Sequence, residues 1–229
     1  MIQAIFFDFN GVIIDDEPLQ MKAYQEVLAP YGVVVTEELY YGALGMDDSA
    51  FVRAMFERAG KQLTKELFIS IGRAKTDSHR RLLGDELPLF PGVVTFLKAT
   101  SRHFSLGIVS MATVEEVGYV LSRARLERLF SIIVSAEDVN RCKPAPDCYS
   151  RGLEKLNDKR RLARLLPLLA KECLAIEDSP PGIEAGRAAG MRTMGVTNTV
   201  PEAALRAAGA DVVAYSLADW TVDAVRLVF

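Results

Sequence analysis

Five residues of this chain are of types that, brought together, can move a phosphoryl group. Asp8 ends an apolar run in Asp8-Phe9-Asn10-Gly11-Val12. A carboxylate at a strand end, beside exposed backbone amides, is placed to ionise and attack an electrophile. Asn10-Gly11 also reads as a tight turn, a hairpin signal in its own right. Glu177-Asp178-Ser179 ends a second apolar run and precedes Pro180-Pro181-Gly182. Two acids there are costly unless a cation compensates them, and magnesium is commonly held by one or two carboxylates plus phosphate oxygens. Asp8 and Asp178 are therefore candidates to share one Mg2+. Helix capping by Asp178 or Ser179 explains one polar residue but leaves the Glu-Asp pair unexplained. Ser110 follows Leu106-Gly107-Ile108-Val109 and can donate its hydroxyl to a phosphate oxygen, with the amides of Met111 and Ala112 beside it; a lone serine is more often a simple cap. Lys143, in Arg141-Cys142-Lys143-Pro144-Ala145-Pro146-Asp147, can hold a point charge over a nucleophile and a transferring group. A surface lysine in a proline-rich loop is the commoner case.

For these residues to meet, strands must deliver them to one rim. Short apolar runs at Ile2–Phe7, Phe104–Val109, Ser131–Val134, Cys173–Ile176, Arg192–Val196 and Val212-Val213 alternate with helical patterns. Uninterrupted runs of this kind suit strands buried on both faces, so the expected fold is α/β, a doubly wound parallel sheet with a Rossmann-like core. In such folds functional residues gather at the carboxyl ends of the strands. Pro18–Tyr31, Asp48–Ala59 and Lys65–Leu83 instead read as consecutive amphipathic helices with no strand between them. The expected division is a core of residues 1–16 and 89–229 with an α-helical cap domain, 17–88, inserted through hinges at Asp15–Pro18 and Gly84–Pro91.

Bulk properties exclude other classes. The 229 residues are half hydrophobic and one quarter charged, as in ordinary globular proteins. A net charge of -3 gives no electrostatic footprint for nucleic acid or an anionic membrane. Three scattered cysteines, Cys142, Cys148 and Cys173, argue against a disulfide framework and a thiolate zinc site. The apolar N-terminus lacks a basic n-region, and no apolar run reaches the roughly 18 to 20 residues of a membrane span. A cytoplasmic protein is expected.

Taken in order, the four polar stretches resemble the haloacid dehalogenase superfamily of hydrolases. The likeness is to the branch with a helical cap after the first strand, which includes β-phosphoglucomutase-like and phosphoglycolate-phosphatase-like enzymes. Asp8-Phe9-Asn10-Gly11-Val12 with Asp15-Asp16-Glu17-Pro18-Leu19 resembles the first motif, and Ser110 stands at the second. Lys143-Pro144-Ala145-Pro146-Asp147 is similar to the third, and Glu177-Asp178-Ser179 with Gly182 to the fourth. The resemblance implies a magnesium-dependent phosphatase that hydrolyses a small phosphorylated metabolite, such as a sugar phosphate, through an aspartyl-phosphate on Asp8. It implies Mg2+ between Asp8, the backbone carbonyl of Asn10 and Asp178, with Glu177 holding coordinating waters, and Ser110 and Lys143 on the phosphoryl oxygens.

One position departs from the pattern. Phosphatases of the family carry a second aspartate where this chain has Asn10, and an amide cannot exchange a proton. Loss of general acid/base help costs on the order of 10²–10⁴ in rate. Three explanations stand. Asn10 is an engineered change; or it is natural, with Asp15, Asp16 or Glu17 supplying the proton from the hinge; or the chain is a phosphate-metabolite binder with little turnover. Phosphonoacetaldehyde hydrolases also lack the second aspartate and use a cap lysine. Here Lys22, Lys61, Lys65 and Lys75 read as solvated helix residues. Dehalogenases need no metal, which leaves the acidic pair at Glu177-Asp178 unaccounted for.

Specificity is expected from the cap. Glu17 and the loop Leu44-Gly45-Met46-Asp47-Asp48 are its expected substrate-facing parts, and that loop holds no Arg or Lys for a second phosphate. Arg53 reads as solvated, His79 and His103 as isolated, and Met46, Met55 and the cap aromatics as core. The basic cluster Lys159-Arg160-Arg161 with Arg164 reads as a charged helix face. A monomer or weak homodimer is expected.

Overall fold

The computed structural model describes residues 1–229. Six strands form one parallel sheet: β1 (Ala4–Phe7), β2 (Ser105–Val109), β3 (Phe130–Val134), β4 (Cys173–Glu177), β5 (Arg192–Val196) and β6 (Val212–Ala214). Their order is β3-β2-β1-β4-β5-β6. The central strands β1 and β4 are buried at every residue. That is why AIFF and CLAIE read as unbroken apolar runs rather than alternating ones. Successive side chains still point to opposite faces: Ile5 and Phe7 join the larger core cluster, Ala4 and Phe6 the smaller one beneath the other face.

Between β1 and β2 the chain is helical. It runs through α1 (Glu17–Leu28), α2 (Glu37–Tyr41), α3 (Asp48–Arg58) and α4 (Lys65–Leu83). Local chemistry sets the starts of three of these: Thr36, Asp47 and Thr64 accept the amides of Leu39, Ala50 and Leu67. These helices enclose their own apolar cluster around Leu28, Phe51, Phe56 and Ile71. Sequence periodicity anticipates α1, α3 and α4 but not α2, whose five residues are too few to show a helical period.

The remaining helices, α5 (Val93–Thr100), α6 (Val114–Ala124), α7 (Asp147–Leu162), α8 (Pro180–Ala188), α9 (Glu202–Ala207) and α10 (Val222–Val228), flank the sheet. The strand order reverses between β1 and β4, and a crevice at the carboxyl ends of two such strands is where doubly wound sheets bind ligands. No helix is long and apolar enough to cross a membrane.

Candidate active site

Register places the acids. Phe7 pairs with Ile176 and with Ile108, so the residues that follow, Asp8, Glu177 and Val109-Ser110, emerge side by side. The Asp8 amide donates to the Ile176 carbonyl at 2.9 Å, which seats Asp8 beside Glu177. Carboxylate oxygens of Asp8, Glu177 and Asp178 lie within 4.8 Å of one another.

Two glycines make room for this cluster. Gly11 holds φ +73°, and a Cβ there would sit 1.9 Å from Asp178 Oδ2. At Gly182, a Cβ would lie 1.9 Å from Glu177 Oε2. Any other residue at either position displaces a carboxylate.

Lys143 is 5 % exposed. Its ammonium lies 2.9 Å from Asp8 Oδ1 and 2.6 Å from Glu177 Oε1. Burial works against this charge, but Asp8 and then Glu177 outweigh it and hold the lysine above its usual range. One ammonium cannot neutralise three carboxylates. Burial pushes Glu177 up to about 8 despite Lys143, and burial followed by the Asp8 charge raises Asp178 well above the ordinary range. Glu177 also accepts from the Tyr149 hydroxyl at 2.5 Å.

Ser110 is buried, and its Oγ accepts the Ala112 amide at 3.0 Å, which leaves its O–H to donate elsewhere. The Ala112 amide is thereby occupied, whereas the Met111 amide makes no backbone hydrogen bond. Of the two amides flagged from sequence, only that of Met111 remains open.

Asn10 donates through Nδ2 to both oxygens of Asp16, at 2.9 and 3.0 Å. Asp16 is fully buried and also meets Gln20 Nε2 at 3.2 Å and His79 Nε2 at 2.9 Å. His79 is therefore no isolated residue; it seals the hinge acid from the cap side.

Facing this rim, the cap closes a cleft with about 90 Å³ of free interior. Glu17 and the loop containing Gly45 line it, as do Asp8, Asn10, Ser110 and Lys143. Gly45 has φ +87°, and a Cβ there would come within 2.9 Å of Pro181 and 3.2 Å of Lys143. The cap loop thus lies directly on the rim that carries Lys143.

Four lining residues, Gln20, Tyr24, Tyr40 and Glu116, carry no sequence signal as cleft residues, and they face it together with Asp48 of the expected substrate-facing loop and Lys75. Lys75 corrects the solvated reading: it is 2 % exposed, with Nζ 3.1 Å from Asp48 and 2.6 Å from Glu116. Its partner Glu116 belongs to α6 of the core, so this ion pair ties cap to core. Burial would lower Lys75, but Asp48 and Glu116 outweigh it and keep the lysine raised. Met46 also departs from expectation, being 43 % exposed at the cleft, while Met55 is core. Lys22, Lys61, Lys65 and Arg53 are exposed.

The chain matches the sequence profile of the haloacid dehalogenase-like hydrolases over residues 5–196. It belongs to that family. A phosphorylated carbohydrates phosphatase of Thermotoga maritima is 28 % identical over 212 residues, covering 91 % of this chain and 92 % of that protein. A phosphonoacetaldehyde hydrolase of Bordetella pertussis is also 28 % identical, over 210 residues, covering 85 % and 72 %. In fold, the chain superposes on β-phosphoglucomutase from Clostridium difficile with a TM-score of 0.85 at 20 % identity, covering 100 % of this chain and 97 % of that one.

Proposed function

From that membership we propose that the chain hydrolyses a phosphate monoester of a small hydroxylated metabolite, with Asp8 as the nucleophile and Mg2+ as the cofactor. The observation that carries the reading is the convergence of Asp8, Lys143 and the Glu177-Asp178 pair from three distant stretches onto one rim.

The acid cluster fits a hard divalent cation. Glu177 Oε2 and Asp178 Oδ2 are buried with no hydrogen-bond partner, a costly state for carboxylate oxygens that bind nothing. Asp8, Asp178 and the Asn10 carbonyl would hold the ion, with Glu177 behind them. When bound, it supplies charge neutralisation at the phosphoryl oxygens, the main requirement of phosphoryl transfer. Asp8 attacks phosphorus, the ester P–O bond breaks, and an aspartyl-phosphate forms. Lys143 and the Ser110 hydroxyl hold the phosphoryl oxygens, Lys143 also fixing the direction of Asp8.

The cleft favours an uncharged leaving group. Lys75 is its one cation besides Lys143, and two carboxylates already hold it. A second phosphate would face Glu17, Asp48 and Glu116 instead, which argues against a bisphosphate. Gln20, Tyr24 and Tyr40 offer hydrogen bonds to hydroxyls, and Gln20 Oε1 is a buried acceptor without a donor. A Schiff base on Lys75, as a phosphonatase would need, requires a neutral amine, and the two carboxylates hold this one protonated.

A screen of sugar and polyol monophosphates with and without Mg2+ tests the reading. Metal-dependent release of phosphate that is lost in Asp8→Asn is expected. Binding without turnover, for this chain and for Asn10→Asp alike, would make it a metabolite-binding protein instead.

A further inference from the structure

We propose that Glu17 is the catalytic acid and base that Asn10 cannot be, with Tyr40 as its positioning residue. The inference rests on the phosphatase reading above and assigns it a proton carrier.

The three hinge acids are not equivalent. Asp15 is exposed, with its amide tied to the Pro88 carbonyl, and it does not line the cleft. Asp16 is fully buried, and Asn10, Gln20 and His79 occupy its oxygens. A proton on Asp16 has no path to the cleft without breaking those contacts. Glu17 alone lines the cleft with Asp8, Asn10 and Lys143.

Its surroundings suit both halves of the reaction. Tyr40 donates its hydroxyl to Glu17 Oε2, fixing one carboxyl oxygen and leaving the other free. The charged and titratable groups facing it are Asp16, Tyr40, Tyr41, Asp8, Asp178 and Lys75. Burial first, then Asp16, pushes its carboxyl up to about 7, with the Tyr40 hydrogen bond acting in the opposite direction. A group poised near neutrality can give and take a proton at working pH.

The proton balance closes. As Asp8 attacks phosphorus and the ester P–O bond breaks, protonated Glu17 gives its proton to the leaving oxygen, yielding the alcohol, an aspartyl-phosphate and a Glu17 carboxylate. A water then transfers a proton to that carboxylate as its oxygen attacks phosphorus. The bond from phosphorus to Asp8 breaks, releasing phosphate and restoring both side chains.

The test compares the chain with Glu17→Gln and Tyr40→Phe on phenyl phosphate and 4-nitrophenyl phosphate with magnesium, across pH. Glutamine preserves shape and hydrogen bonding but carries no transferable proton. It is expected to slow phosphorylation of Asp8, read as kcat/KM, by about 10²–10³ for phenyl phosphate and by about tenfold or less for 4-nitrophenyl phosphate, whose leaving group needs no proton, while kcat falls for both because the second step loses its base. The pH limb near neutrality should vanish in Glu17→Gln and move to higher pH in Tyr40→Phe, which removes the stabilising donor. An active chain whose leaving-group dependence and pH limb are unchanged in both variants overturns the Glu17 assignment while leaving the phosphatase reading intact. A chain inert on both esters, forming no phosphoenzyme, overturns both.

Discussion

Replacing Lys75 by methionine isolates the bond between cap and core. The ammonium is 2 % exposed and sits 2.6 Å from Glu116 and 3.1 Å from Asp48. Glu116 reaches it from the core; Asp48 and Lys75 belong to the cap. Methionine fills much of the same volume but leaves the buried Glu116 carboxylate and the half-buried Asp48 carboxylate without their shared cation. Removing one partner from a buried ion pair costs about 3–5 kcal/mol, against at most about 1 kcal/mol for an exposed pair. For a chain of this length each kcal/mol moves the melting midpoint by about 2–4 °C, so a fall of about 6–20 °C is expected. The sign of the pH dependence is also set. Burial, opposed by Lys75, already raises the Asp48 carboxyl, and losing the ammonium raises it further. The folded variant then binds a proton that the unfolded chain does not hold, so the deficit grows as pH rises above the unfolded carboxyl pKa. Calorimetry and urea titration at pH 5.5 and pH 8 should show a smaller deficit at the lower pH. Arg161→Ala, which breaks an exposed pair with Asp158, should leave the midpoint unchanged. A Lys75→Met deficit below about 1 kcal/mol at pH 8, the level of an exposed pair, would refute the buried-tie reasoning.

Three further outcomes follow from the same geometry. Burial pushes the Glu177 carboxyl up to about 8, so magnesium bound as proposed would displace a proton; affinity by calorimetry should rise roughly tenfold per pH unit between 6 and 8, and a flat profile would contradict this. Gly182→Ala places a methyl 1.9 Å from Glu177 Oε2; Mg2+ affinity should fall at least about tenfold, with a stability loss of about 1–3 kcal/mol. Asn10→Asp sets a carboxylate against Asp16, whose oxygens now accept at 2.9 and 3.0 Å; a loss of about 1.5–3 kcal/mol is expected. The double variant Asn10→Asp/Asp16→Asn should recover most of it, as followed by thermal melts.

Sequence alone carried the sheet and the acid rim because both are written locally. Strands buried on two faces appear as apolar runs, and each rim residue sits where a run ends. The cleft wall is not written that way. Lys75 and His79 meet partners 41 and 63 residues distant, Glu116 and Asp16, and nothing in their own helix separates them from solvated residues. Gln20, Tyr24 and Tyr40 lie on helix faces whose pattern is the same whether the face covers a core or a cavity. Likewise, the three acids at Asp15-Asp16-Glu17 are adjacent in sequence but point to solvent, to a sealed network and to the cleft, a division only the folded chain reveals.

Covalent phosphorylation of Asp8 is the step on which every other proposed role depends. Incubating the chain with 4-nitrophenyl phosphate and magnesium, quenching in acid and reducing with borohydride converts an aspartyl-phosphate to homoserine, which peptide mass spectrometry locates. Homoserine at position 8, dependent on magnesium and present in Glu17→Gln but missing from Asp8→Asn, is the predicted result. Turnover with no modification at position 8, or with the label on another carboxylate, would contradict it.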